Sequence, residues 1–131
     1  MLDIKFRIRG TDVIIKLNRG VHLCGTDSGT GKTYFAKLVQ CAVEHNLVNA
    51  AVINLKNINF VNQMNLGSKD LIVIDSASAI DLEGKLENLL EQVKDKYVIM
   101  DMKEYRYDFS FKYDHVWFTF EKDRLEVSDW I

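Results

Sequence analysis

The sequence predicts an α/β protein with a mostly parallel central sheet and antiparallel strands at its N- and C-terminal edges. Three observations lead there. Apolar strand-like runs alternate with helix-period segments through the middle of the chain, from Val21 to Met102, the pattern of βαβ units. Both ends are β-rich, with period-two alternation and tight turns, as antiparallel strands require. The composition, 47% apolar and 27% charged over 131 residues, is globular and fits a single domain spanning residues 1–131.

Each element has its own signal. Leu2, Ile4, Phe6 and Ile8 alternate with Asp3, Lys5, Arg7 and Arg9, a half-buried strand. Gly10-Thr11-Asp12 turns the chain into a second strand, Val13 to Leu17, and Asn18-Arg19-Gly20 turns it again. Val21 to Cys24 is a short apolar run that enters a Gly-rich loop. Lys32 to Asn46 is a helix, with Phe35, Leu38, Val39, Ala42 and Val43 at helical spacing. Ala50 to Leu55 is a strand. Lys56 to Asp70 is a polar connection in which Phe60, Val61 and Met64 allow one or two helical turns. Leu71 to Ile74 is a continuous apolar strand closed by Asp75. Asp81 to Asp95 reads as a helix with Leu82, Leu86, Leu89, Leu90 and Val93 facing inward. Tyr97 to Met102 is a strand. His115 to Glu121 and Leu125 to Trp130 form a closing hairpin around Lys122-Asp123-Arg124.

Composition excludes several classes. The net charge of −2 supplies no basic field, so nucleic acid is not an expected partner. No apolar run approaches the ~20 residues of a membrane span, and no signal peptide opens the sequence. The expected setting is cytoplasmic, with Cys24 and Cys41 reduced. No His, Cys or carboxylate set has the spacing of a metal cage.

The strongest chemical signal is Thr26-Asp27-Ser28-Gly29-Thr30-Gly31-Lys32-Thr33, between an apolar strand and an amphipathic helix. Gly29 and Gly31 let the backbone curl so that successive N–H groups face phosphate oxygens. The helix beginning near Lys32 aims its positive end at the same anion. Lys32 brings a point charge to the outer phosphates, and the Thr33 hydroxyl is placed for Mg2+. The first position of the motif is Thr26, with Gly25 one residue earlier. Leu71 to Asp75 supplies the second half, a buried strand delivering a carboxylate to the metal. Ser76 follows, and a serine hydroxyl is a poor base. Asp101, ending a later strand, is the candidate for positioning a water at the γ-phosphate; a turn-forming surface role is the alternative.

These residues resemble the P-loop NTPases, and the wider chain resembles a reduced ABC-type ATPase core, with the AAA+ group next of kin. Thr26 to Thr33 is similar to the Walker A motif, Leu71 to Asp75 to Walker B, and Asp75-Ser76-Ala77-Ser78-Ala79-Ile80-Asp81 to the ABC segment that follows it without its Glu and Pro. Asp101-Met102 stands where that family has its switch histidine, and the Leu-Ser-Gly-Gly-Gln signature is absent. The resemblance implies a three-layer sandwich of the P-loop NTPase type, with ATP and Mg2+ as ligands. It also implies a protein partner that completes the site.

Other features have plainer readings beside functional ones. Tyr105, Tyr107, Phe109, Phe111 and Tyr113 alternate with polar residues; they suit core packing, a partner surface or base stacking. Phe6 is a core residue or an adenine-stacking one. His22 and His45 read as structural, and Glu83, Glu87 and Glu91 as a solvated helix face. The function expected is ATP binding with weak or partner-stimulated hydrolysis. A non-hydrolysing, nucleotide-gated interaction module is the alternative. A small-molecule or nucleotide kinase ranks last, because only Arg106 and Arg124 follow the core.

Overall fold

A computed structural model describes residues 1–24, 31–102 and 112–129, with residues 31–33 described by their backbone alone. The first two strands, β1 (Leu2–Ile8) and β2 (Thr11–Leu17), form an antiparallel hairpin. Strand β3 (Gly20–Cys24) is followed by the long helix α1 (Gly31–Glu44) and strand β4 (Ala50–Ile53). Two 3-10 turns, Ile58–Gln63 and Leu66–Ser68, fill the polar connection to β5 (Leu71–Ile74). Helices α2 (Ala77–Leu82) and α3 (Leu86–Val93) then lead to β6 (Tyr97–Asp101). Strands β7 (Tyr113–Glu121) and β8 (Arg124–Ser128) close the fold as an antiparallel hairpin.

All eight strands join one sheet in the order β1-β2-β8-β7-β3-β6-β5-β4. From β7 to β4 the neighbours are parallel. The antiparallel strands expected at the N- and C-terminal edges form, but not at separate edges of the sheet. The N-terminal hairpin and β8 lie together on one side, and β2 pairs with β8 in parallel.

The helix-flanked three-layer sandwich expected from the sequence is also corrected. The fold is a mixed sheet curled into a half-barrel, and strand outweighs helix, 41% against 31%. The reason lies in what covers α1. Phe35, Leu38, Val39 and Ala42 of α1 pack against Phe6, Ile8, Val13, Ile15 and Leu17 of the first hairpin and against Leu125 and Val127 of β8. The sheet wraps its own helix, so the hairpin's apolar face needs no second helical layer. On the opposite face the short α2 and α3 cover only β3 to β6, through Ile80, Leu86, Leu89, Leu90 and Val93. There Asp3, Lys5 and Arg7 of β1 and His115 and Trp117 of β7 remain exposed.

The predicted helix from Asp81 to Asp95 is broken in two. Gly84 adopts φ +71°, a left-handed conformation that glycine takes at no steric cost. The N–H groups of Gly84 and Lys85 donate to the carbonyls of Asp81 and Ile80, the double bond of a Schellman cap. Leu82 consequently points outward, 89% exposed, instead of joining the inward stripe. Helix α1 ends by the same device, with Asn46 at φ 59° and the N–H of Leu47 donating to Ala42.

Among the described residues one polar residue, His22, is wholly buried in the sheet. His22 on β3 directs Nδ1 at the Val98 carbonyl, 3.1 Å away, and Nε2 at Oδ2 of Asp129, 3.0 Å away. The N–H of Asn18 donates to the same carboxylate oxygen at 2.8 Å. This cluster ties the end of β8 to β3 and to the turn after β2. Among the described residues no helix is long and apolar enough to cross a membrane.

Candidate functional site

Parallel pairing brings the C-terminal ends of β3, β6 and β5 to one edge of the sheet. Cys24 of β3 is level with Asp101 of β6, and Met100 is level with Ile74 of β5, the residue before Asp75. Side chains alternate across a sheet, which fixes the face each presents. Cys24, Val73 and Ile99 pack on the α1 side, whereas Leu23, Ile74 and Met100 pack on the α2–α3 side. Asp75 and Asp101 therefore share the α1 face, on adjacent strands, at the edge where the chain leaves β3. Open sheets with parallel strands bind ligands at this carboxyl edge.

The phosphate-loop residues Thr26, Asp27, Ser28, Gly29 and Thr30 lie outside the described residues. Gly31, Lys32 and Thr33 form the first turn of α1, and the loop joins that turn to the end of β3. The aromatic run Tyr105 to Phe111 also lies outside the described residues, while Tyr113 opens β7 partly packed against the second core cluster.

Burial raises the carboxyl of Asp75 above its ordinary value; the Ser76 hydroxyl and the Lys37 ammonium act in the opposite direction. A carboxylate that resists ionisation in its buried setting is one that a cation relieves, so this donor fits a metal ion. The next residue, Ser76, has φ 57° and ψ 52°, an uncommon conformation for a residue with a side chain. Strain of this kind gathers where a chain is held for function. The Asp75 N–H donates to the Ile53 carbonyl at 2.8 Å, which fixes the carboxylate's backbone.

The linkage has a definite sign. A carboxyl raised in the folded state holds more protons there than in the unfolded chain, so stability falls as pH rises from the ordinary carboxylate range through the folded value. The variant Asp75→Asn will remove that loss. Its ligand-free melting temperature at pH 7 should exceed that of the parent. A lower melting temperature without ligand would contradict this account of Asp75.

Several other candidates are placed. Phe6 is buried in the core, 8% exposed, and cannot stack on a base. His45 donates Nδ1–H to the Cys41 carbonyl at 2.8 Å and so caps the end of α1. Cys24 is buried and Cys41 half-buried, and neither forms a disulfide among the described residues. Among the described residues, no cluster of three His, Cys, Asp or Glu side chains is poised around a common point.

Sequence reasoning passed over two aromatics beside this edge. Tyr34, next after Thr33, lies on α1, and its ring centroid is 6.1 Å from that of Phe120 on β7. The only sequence signal for Tyr34 was its position directly after the phosphate loop; Phe120 had none beyond its strand. No protein-family model, curated protein or solved structure matches the chain.

Proposed function

We propose that the chain binds Mg·ATP through Thr26 to Thr33 and is a weak or partner-stimulated nucleoside triphosphatase. The observation that carries the reading is a juxtaposition. A Gly-x-Gly-Lys-Thr sequence, Gly29 to Thr33, follows β3 within a few residues and runs into α1, and two carboxylates follow or end adjacent strands on the face that α1 covers. In this reading the loop amides and Lys32 hold the β and γ phosphates, and Thr33 and Asp75 hold Mg2+. The metal would neutralise charge on the phosphates during transfer. Asp101 would position the attacking water. Cys24 and Cys41, which form no disulfide among the described residues, suit a reducing, cytoplasmic setting.

Ser76 favours a second reading. It occupies the place after Asp75 where a general base would serve hydrolysis, and its side chain hydrogen-bonds to Asp75. A serine there leaves the water without a strong base. On this reading nucleotide orders a protein-binding surface, and turnover waits for a partner that supplies an Arg or a base, an addition worth roughly 10³–10⁵ in rate.

Calorimetry with ATP and GTP in Mg2+, followed by phosphate release from the same sample, tests the proposal. Binding with release supports the triphosphatase. Binding without release supports the gated module. Absence of binding overturns both.

A further inference from the structure

We infer that Tyr34 and Phe120 form a platform for the base of a purine nucleotide; this rests on the nucleotide reading above and names its ligand further. Two large aromatics stand in water at the loop edge, Tyr34 41% and Phe120 47% exposed. The core does not need them. Phe118, two residues before Phe120, already packs on Phe35 with ring centroids 5.2 Å apart, and it belongs to the cluster around α1.

Their positions follow from the fold. Tyr34 lies in the opening turns of α1, directly after Thr33. Helical side chains lean toward the N-terminus, and its ring meets Phe120 of β7 while its hydroxyl meets Thr11 of β2. Strand β7 is level with Cys24 at Val116 and runs on to Glu121. Phe120 therefore overhangs the edge from which the loop departs. The rings are tilted by 38°, and a long hydrogen bond of 3.4 Å between the Tyr34 hydroxyl and Thr11 steadies the phenol. A nucleoside whose phosphates sat at the start of α1 would be within reach of these rings.

The chemistry is stacking. Aromatic faces accept any base, and larger ring systems gain more contact. The platform thus favours purine over pyrimidine triphosphates and separates ATP from GTP only weakly.

Inorganic tripolyphosphate provides the control, because it carries the phosphates without a base. Binding of Mg·ATP, Mg·CTP and Mg·tripolyphosphate is measured for the parent, Tyr34→Leu, Tyr34→Phe, Phe120→Leu and Lys32→Ala, with melting curves to verify folding. Tyr34→Leu and Phe120→Leu should each weaken ATP by about tenfold and leave tripolyphosphate unchanged, and Tyr34→Phe should restore ATP. If both leucine variants keep the parent's ratio of ATP to tripolyphosphate affinity, the platform is wrong while the phosphate loop stands. If Lys32→Ala leaves both ligands unaffected but the leucine variants lose ATP, the platform stands and the phosphate reading fails. A parent that binds none of the three overturns both.

Discussion

Replacing Lys32 by alanine will weaken Mg·ATP binding by one to two orders of magnitude, with little change in melting temperature. The magnitude follows from a lost hydrogen bond between charged groups, worth roughly 1.5–3 kcal/mol. Lys32 belongs to the first turn of α1, where the backbone N–H groups still contribute to anion binding after the side chain is removed. Residual weak affinity is therefore expected, strongest for ligands with more phosphates. Titration calorimetry at fixed Mg2+ reads the loss, and a thermal scan shows that the fold persists. Undiminished affinity in a folded Lys32→Ala protein would remove the central element of the proposed site.

The second large effect is on stability. Asp129→Ala should cost about 3 kcal/mol, the loss typical of breaking one side of a buried polar pair. The side chains of His22 and Asp129 are 0% and 3% exposed, so no solvent replaces the lost acceptor. Alanine would leave Nε2 of His22 buried without its partner oxygen, 3.0 Å away, and would release the exposed N–H of Asn18, 2.8 Å from the same oxygen, to solvent. A fall of roughly 10 °C in melting temperature follows for a chain of this size. Asp129→Asn keeps an oxygen that can accept both bonds and should cost less. The second carboxylate oxygen, Oδ1, is buried with no partner among the described residues, so the amide must still orient its NH2 there. Equal losses for the two variants would show that charge, rather than the acceptor, matters at this position.

The sequence made the strands legible and left their layering hidden. Leu2, Ile4, Phe6 and Ile8 announce one buried face, and β1 forms where they alternate. Alternation does not say what covers that face, and here the cover is α1 held inside the curl of the sheet. The leucine stripe from Leu82 to Val93 was visible, but a periodic reading runs through Gly84 as if it were any helical residue. The left-handed φ at Gly84 depends on a cap formed with Ile80 and Asp81. At the site, Asp75 and Asp101 were readable as strand ends. Their neighbourhood required the strand order, which places β6 between β3 and β5. Tyr34 and Phe120 meet only because β7 overhangs α1, a relation between distant segments that no local pattern encodes.

The position of β8 bears on how the molecule comes to exist. It is the last strand in chain order, yet it lies inside the sheet between β2 and β7. Asp12 pairs with Arg124, so the N-terminal hairpin joins the sheet through residues synthesised much later, although α1 packs on it earlier. During translation α1 follows soon enough to cover Phe6, Ile8, Val13 and Ile15, but the open edge of β2 waits for β8. Such long-range closure makes folding slow and the waiting species prone to aggregation. With no proline in the sequence, a slow refolding phase cannot be assigned to prolyl isomerisation. It would instead report the insertion of β8, the step that converts a nascent hairpin and a parallel sheet into one cooperative unit.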